Sequence, residues 1–190
     1  PGYIGATWNP TTGCTRVSPG CDHCYAFQLH DQRYAATLRA AKDSGLTPRE
    51  EGPDTRWRTT NADLIARARM GGYLNLAPQY DVPFSTVQVL GEERLKEPLR
   101  VQKPHAFFVD SMADLFHESV PDEAIDRVFA VMAVARRHLF QILTKRPERM
   151  LRYLKHRLTA AGLSTEFGVA WHVRHTLKSE AYFAWPLPNV

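Results

Sequence analysis

Three cysteines near the start of the chain are the residues whose type and spacing most clearly predict chemistry. Cys14 and Cys21 are separated by six residues, and Cys21 and Cys24 are separated by two. Thiolates are soft ligands that suit iron–sulfur clusters and zinc. The C-x-x-C pair brings two sulfurs together across a tight turn, and a loop containing Pro19 and Gly20 can bring Cys14 to a third position. The spacing therefore predicts an inorganic centre held by three thiolates.

Two kinds of centre fit this spacing. Three thiolates leave one iron of a 4Fe–4S cluster open, and an open iron can bind a small chelating ligand. Alternatively, a fourth ligand from His23 or His30 would complete a tetrahedral zinc site. The motif follows a first short strand and precedes a helix, which favours the cluster, because catalytic sites of β/α barrels lie at that end of the strands. The spacing alone leaves zinc open.

The cysteine count indicates the cellular setting. All three cysteines of the 190-residue chain lie within its first 24 residues, whereas a secreted disulfide framework usually has an even number spread along the chain. No apolar run approaches the roughly 20 residues needed to cross a bilayer, and no signal peptide is recognisable. We therefore expect a cytoplasmic protein that does not contact a membrane and whose thiols are kept reduced.

The composition is that of a globular protein with a modest positive charge. Hydrophobic residues make up 44% of the chain and charged residues 23%, which excludes an intrinsically disordered chain. The formal net charge of +4 suits an anionic partner, and the lysines and arginines are spread over several segments. A nucleic acid or a nucleotide is therefore a candidate substrate.

Hydrophobic periodicity predicts alternating strands and helices in a single domain. The expected strands are 4–8, 86–90, 106–109 and 139–143, and the expected helices are 25–42, 61–70, 92–99, 121–137 and 147–161. Pro98 is expected to stop the helix at 92–99. The alternation in the second half predicts parallel strands joined by right-handed crossovers. Polar, proline-containing sequence predicts an exposed insertion around residues 43–85, and residues 167–190 receive no assignment.

Polar side chains follow the two clearest strands. Asp110, Ser111 and Asp114 come after strand 106–109. Polar groups at the carboxyl end of a barrel strand are well placed to hold ligand hydroxyls or an amine. The alternative is a loop that caps a short helical turn.

A second polar run, Thr144-Lys145-Arg146, follows strand 139–143 in the same way. A lysine–arginine pair at a strand end can bind a carboxylate or a phosphate. The alternative is ordinary surface charge ahead of the helix that begins at Pro147.

Three blocks of the sequence resemble one family. They are TWNPTTGCTRVSPGCDHCYA at residues 7–26, DSMADLFH at 110–117 and FQILTKRPERM at 140–150. In this order they resemble the blocks of a phage and bacterial family of proteins of unassigned function that are similar to radical S-adenosylmethionine (radical SAM) enzymes. The three blocks span most of the chain.

The resemblance implies an α/β fold, a partial (β/α) TIM-type barrel of the radical SAM kind. It implies a 4Fe–4S cluster on Cys14, Cys21 and Cys24, and S-adenosylmethionine as a second cofactor. The cofactor-binding residues expected from it are Asp110, Ser111, Asp114, Thr144 and Lys145. The spacing C-x₆-C-x₂-C differs from the commonest radical SAM spacing, C-x₃-C-x₂-C. Family members continue past Val190 with further strands, so we expect a barrel that is truncated at its C-terminus or has lost its remainder.

Two functions follow as hypotheses. The first is an enzyme that reductively cleaves S-adenosylmethionine to act on an unknown substrate, with a nucleic acid or nucleotide as the candidate. The second is a phage-encoded, non-catalytic protein that binds a host protein, with the cysteines holding structural zinc or no metal. In either case we expect it in the cytoplasm, that of the bacterial host if a phage encodes it.

Overall fold

The computed structural model describes residues 3–46, 60–157, 168–180 and 187–190. Its strands are β1 (Ile4–Trp8), β2 (Thr11–Thr12), β3 (Gln88–Val89), β4 (His105–Val109) and β5 (Leu139–Ile142). Its helices are α1 (Tyr25–Asp43), α2 (Asn61–Met70), α3 (Glu92–Leu95), α4 (Glu97–Arg100), α5 (Asp122–Val134), α6 (Pro147–Arg157) and α7 (Val169–Trp171). A π-helical turn, His172–Thr176, follows α7.

A parallel sheet of three strands, in the order β1-β4-β5, positions the candidate site. Both strand pairs are parallel, with Trp8 beside Val109 and Val109 beside Ile142, so the carboxyl ends of all three strands meet at one edge. This confirms the predicted parallel pairing. The second sheet is the antiparallel pair β2–β3. The described residues form a mixed α/β fold without a closed barrel, so the partial TIM-type barrel stays a prediction.

Aromatic side chains fix the three parallel strands against one another. Phe140 of β5 contacts Trp8 of β1 and stacks on Phe107 of β4, with ring centroids 5.6 Å apart in both pairs. All three rings are almost completely buried, and burying side chains of this size contributes about 2–3 kcal/mol each. Helix α5, which connects β4 to β5, is buried along most of its length in the same core. This packing holds the strand ends in fixed relative positions.

The segment predicted to be an exposed insertion has a buried face. Residues 47–59 lie outside the described part of the chain, but α2 packs against α1. Leu64, Ile65 and Ala68 of α2 form a small second core with Ala41 of α1. Tyr80 and Phe84, further along the segment, are also buried. This part of the chain therefore supports α1, the helix that begins immediately after the cysteines.

The helix predicted to end at Pro98 is instead two short helices, α3 and α4. Pro98 lies in the first turn of α4 and does not end a helix. The first turn tolerates proline because its N–H groups have no partner within the helix. The prediction of a single helix stopped by Pro98 was therefore wrong.

The other predicted elements agree with the structure to within a few residues. The strand expected at 86–90 is shorter, at Gln88–Val89, and the helix expected to reach residue 137 ends at Val134. Part of the helix expected at 147–161 lies outside the described residues.

At the C-terminus, the Phe140 N–H donates to the Asn189 carbonyl (2.8 Å), which places residues 187–190 beside β5. None of the helices that the structure describes is both long and apolar enough to span a bilayer.

Candidate functional site

A cavity of about 310 Å³ lies at the carboxyl edge of the parallel sheet. The eight side chains predicted as ligands all line it: Cys14, Cys21, Cys24, Asp110, Ser111, Asp114, Thr144 and Lys145. They come from the segment after β1 and from the loops after β4 and β5. The structure therefore brings the predicted residues together, and their roles as ligands of a cofactor stay predictions.

Gly13 positions Cys14. Its φ of +88° lies in the left-handed region, which glycine adopts without steric strain. The Gly13 N–H donates to the Met112 carbonyl (3.1 Å), and the Cys14 N–H donates to the Phe84 carbonyl (2.9 Å). A side chain at residue 13 would place its Cβ only 2.4 Å from the Thr86 carbonyl oxygen. The backbone before Cys14 is thus held between the loop after β4 and the segment before β3.

A short 3-10 turn, Pro19–Cys21, positions the other two cysteines. The Cys21 N–H donates to the Ser18 carbonyl (2.9 Å), and the Cys24 N–H donates to the Cys21 carbonyl (3.2 Å). Cys24 is the N-cap residue of α1. The turn and the helix start therefore present two sulfurs from adjoining pieces of backbone.

Two cations donate to two of the three sulfurs. Arg146 Nη1 lies 3.4 Å from Cys14 Sγ, and Lys145 Nζ lies 3.6 Å from Cys21 Sγ. Backbone hydrogen bonding, chiefly at Val17, lowers the pKa of Cys21 to about 7. Burial raises the pKa of Cys14, although hydrogen bonding from Arg146 opposes that rise. All three cysteines are free thiols.

Asp110 is a buried carboxyl group at the end of β4. It accepts hydrogen bonds from the Thr11 N–H (3.0 Å) and the Thr11 hydroxyl (2.9 Å). Its φ of +54° is uncommon for a residue other than glycine, although aspartate tolerates it better than most. Burial raises the pKa of Asp110 to about 7, with hydrogen bonds from Thr11 opposing the rise. Near neutral pH, Asp110 is therefore divided between its protonated and ionised forms.

Asp114 joins the loops after β4 and β5. One oxygen accepts from the Thr144 hydroxyl (2.7 Å), and the other accepts from the Lys145 N–H (3.0 Å) and Arg146 Nη1 (3.2 Å). The first oxygen also accepts from the Phe116 N–H (3.0 Å). Both carboxylate oxygens of Asp114 therefore accept hydrogen bonds from protein groups. Asp114 acts on the cavity by holding the two loops together.

Asn9 and Tyr25 connect the end of β1 and the start of α1 to the same loop. The side-chain oxygen of Asn9 accepts from the Ser111 hydroxyl and from the Met112 N–H, each at 3.0 Å. The Tyr25 hydroxyl donates to the Ser111 carbonyl (2.6 Å). The cavity wall is therefore tied together across β1, α1 and β4.

The two candidate histidine ligands lie in different surroundings. His23 lines the cavity. The buried ring of His30 packs against Tyr80 and Phe84, and its Nε2 donates to the Val82 carbonyl (2.9 Å). Among the residues that the structure describes, no group of three or more His, Cys, Asp or Glu side chains is placed to hold one metal ion.

Sequence reasoning missed Thr15 and Glu118 beside the cavity, whereas His117, which lies with them, is a candidate acid–base group by residue type. The Thr15 hydroxyl lies 2.8 Å from His117 Nε2, and His117 Nδ1 accepts from the Ser119 N–H (3.0 Å), so Nε2 carries the proton. Burial lowers the pKa of His117, which favours this neutral form. Thr15 could have been noticed as a polar neighbour of Cys14. No local signal pairs Glu118 with a partner 28 residues away.

A family model described as "Protein of unknown function (DUF5131)" matches residues 2–190. The chain therefore belongs to this family. No curated protein and no solved structure matched it.

Proposed function

We propose that this member of the DUF5131 family is an iron–sulfur enzyme of the radical SAM kind. In this proposal Cys14, Cys21 and Cys24 hold a 4Fe–4S cluster, and the rest of the cavity binds S-adenosylmethionine. The observation that carries the proposal is that three free thiols and the polar residues after two parallel strands line one cavity of about 310 Å³. Catalytic sites at the carboxyl ends of parallel strands are the rule in β/α folds.

The chemistry of the donors supports a cluster. Thiolates are its usual ligands, and the potential of a cluster depends on net charge and on hydrogen bonds to sulfur. Here Lys145 and Arg146 provide both, each to a different cysteine. When bound, a cluster with one open iron would supply an electron that cleaves S-adenosylmethionine into methionine and a 5′-deoxyadenosyl radical.

The cavity wall offers both kinds of surface that S-adenosylmethionine requires. Asp110 and Ser111 are polar groups at the end of β4, suited to an amine or to ribose hydroxyls. Phe84, Phe108 and Leu143 provide apolar surface for a flat base. These side chains would orient the ligand, and the apolar ones would exclude water from it.

We further propose that the substrate is a nucleic acid or a nucleotide and that the protein acts in the cytoplasm. Arg16, between two of the cysteines, has a half-exposed side chain and lies 4.8 Å from the centroid of the Phe27 ring. Arginine beside an aromatic ring suits the stacking of bases and the pairing of phosphates. The net charge of +4 acts in the same direction.

A second candidate function, binding of a host protein without catalysis, is favoured by a different surface. An apolar cavity of about 700 Å³ lies along β5 and α6, with Phe140, Ile142 and Leu154 among its lining residues. Leu143 also lines it and is 69% exposed. Exposed apolar surface of this kind often marks an interaction site. In this case zinc or no metal would be expected at the cysteines.

The proposed activity can be tested by incubating the reconstituted protein with S-adenosylmethionine and a chemical reductant under anaerobic conditions. We expect methionine and 5′-deoxyadenosine to accumulate, and we expect the Cys21→Ala variant to form neither product, because one corner of the cluster would lack its ligand. Liquid chromatography with mass spectrometry measures both products.

The His23→Ala variant distinguishes the two candidate metal centres. A cluster held by three cysteines keeps its iron in this variant, whereas a zinc site completed by His23 loses most of its zinc. A protein that contains the cluster but neither binds nor cleaves S-adenosylmethionine would contradict the proposed activity.

A further inference from the structure

We infer that Arg146 is a positioning residue that clamps the Cys14 segment to the end of β5 and, together with Lys145, raises the reduction potential of the cysteine-bound centre. This inference rests on the proposed function, because a potential exists only if a cluster binds. The clamp itself concerns the polypeptide and can be tested without a cluster.

Every N–H group of the Arg146 guanidinium is directed at protein atoms. Nε donates to Glu118 Oε2 (2.8 Å), and Nη1 donates to Asp114 Oδ2 (3.2 Å) and Cys14 Sγ (3.4 Å). Nη2 donates to the Thr15 carbonyl (3.0 Å) and the Thr15 hydroxyl (3.1 Å). A guanidinium has five N–H donors, so this set uses all of them. Arg146 therefore has no donor left for a phosphate or carboxylate ligand.

The hydrogen-bond partners of the guanidinium come from two distant parts of the chain. Asp114 and Glu118 lie in the region after β4 and balance its charge, while Cys14 and Thr15 lie more than 130 residues away in sequence. The Arg146 side chain is only 4% exposed. Buried, charge-assisted hydrogen bonds of this kind are stronger than exposed ones, and lysine cannot reproduce a planar fork. The arrangement therefore fixes the position of Cys14 relative to the strand ends.

The two cations differ in what they contribute. Lys145 is exposed and donates to the Gly20 carbonyl (2.6 Å) and to Cys21 Sγ (3.6 Å). It holds no group near Cys14, so it adds positive charge near the centre without clamping that segment. Positive charge and N–H donors close to cluster sulfurs stabilise the reduced, more negative state. Both residues should therefore raise the potential, whereas only Arg146 should restrain Cys14.

The clamp is tested by amide hydrogen exchange of the metal-free protein. In Arg146→Gln and Arg146→Lys we expect the peptide containing Cys14 and Thr15 to exchange at least several-fold faster than in the wild type. Arg149→Gln is the matched control. Arg149 donates to the Val120 carbonyl and to Asp122, neither of which belongs to the cysteine segment, so its loss should leave that peptide unchanged. Unchanged exchange in both Arg146 variants would overturn the clamp.

The effect on potential is tested by redox titration of the reconstituted protein, followed by electron paramagnetic resonance. Arg146→Gln and Lys145→Gln should each shift the midpoint potential to a more negative value, Arg146→Lys should shift it less than Arg146→Gln, and Arg149→Gln should leave it unchanged. Equal potentials in all variants would overturn this part of the inference.

Failure of the inference and failure of the proposed function give different results. If wild-type protein takes up no iron, the proposed function fails, and the exchange experiment still decides the clamp. If Arg146→Gln does not fold, Glu118→Ala replaces it: the Glu118 side chain is 63% exposed, and its removal takes away the acceptor of the Arg146 Nε while leaving the core intact. That variant should show faster exchange at Cys14 and Thr15, and unchanged exchange would count against the clamp.

Discussion

Replacing Gly13 by alanine is expected to lower the free energy of unfolding by about 2–5 kcal/mol and to abolish metal binding. Two effects add. The φ of +88° disfavours any residue with a Cβ, and the new Cβ would meet the Thr86 carbonyl oxygen at 2.4 Å and the Phe84 carbonyl oxygen at 2.9 Å. Both atoms belong to backbone, so relief requires the chain before Cys14 to move. Chemical denaturation and metal analysis of the purified variant measure the two outcomes.

Gly72→Ala is the matched control for this change. Gly72 has a similar φ of +76°, but no atom lies within 4 Å of the position a Cβ would take. Its substitution should therefore show the conformational strain alone, about 1 kcal/mol, and should leave metal binding intact. If Gly13→Ala were no more destabilising than Gly72→Ala, the close approach of the Thr86 backbone to Gly13 would be disproved.

Replacing Asp110 by asparagine is expected to stabilise the metal-free protein at about pH 8 and to change stability little at about pH 4. The pKa of Asp110 is about 7 in the native state, against 3.8 for an ordinary aspartate, because the group is buried. The native state therefore binds the proton more tightly than the unfolded chain does. The stabilisation of the native state by this bound proton is complete below pH 3.8, declines as the pH rises through about 7, and is absent at higher pH.

The shift in the pKa of Asp110 from 3.8 to about 7 corresponds to a change in the free energy of unfolding of at most about 4 kcal/mol. Asparagine removes the titration, tolerates the left-handed backbone, and can still accept from the Thr11 N–H while donating to the Thr11 hydroxyl. The measurement is denaturant unfolding across this pH range in the presence of a chelator. Glu93→Gln is the control for the loss of one carboxyl group at an exposed position, because its side chain is 86% exposed. Parallel pH profiles for wild type and Asp110→Asn would show that Asp110 ionises normally.

The strands that carry the site could be predicted from the sequence because each is a short apolar run. The expected strands 106–109 and 139–143 correspond to β4 and β5 with ends that differ by one residue. Buried parallel strands need apolar side chains on both faces, so a continuous run is a sufficient signal. Once the strands were placed, the polar residues that follow them could be assigned to one edge of the sheet.

The pairing of individual side chains could not be predicted. Asp114 meets Thr144, and Arg146 meets Thr15, only because the parallel sheet brings the strand ends together. Local pattern carries no information about such distant partners. The sequence placed Lys145 and Arg146 as a pair that could bind an anion, and the structure directs Arg146 entirely towards protein groups. The raised pKa of Asp110 depends on a burial that no short stretch of sequence specifies.

Local rules also failed where proline or mixed composition was involved. The sequence pattern predicts that Pro98 ends a helix, although the first turn of a new helix accommodates proline equally well. Residues 167–190 showed no clear period, and their described part contains only the short helix α7, a π-helical turn and the segment beside β5. These elements are short and depend on packing with α5, so periodicity alone was a weak guide.

The most direct test of the account is the metal content of the protein purified under anaerobic conditions. We expect about four irons and about four acid-labile sulfides per chain, and we expect each of Cys14→Ala, Cys21→Ala and Cys24→Ala to lose them. One zinc per chain, or full retention of iron in the Cys14→Ala variant, would contradict the claim that the three sulfurs hold one cluster.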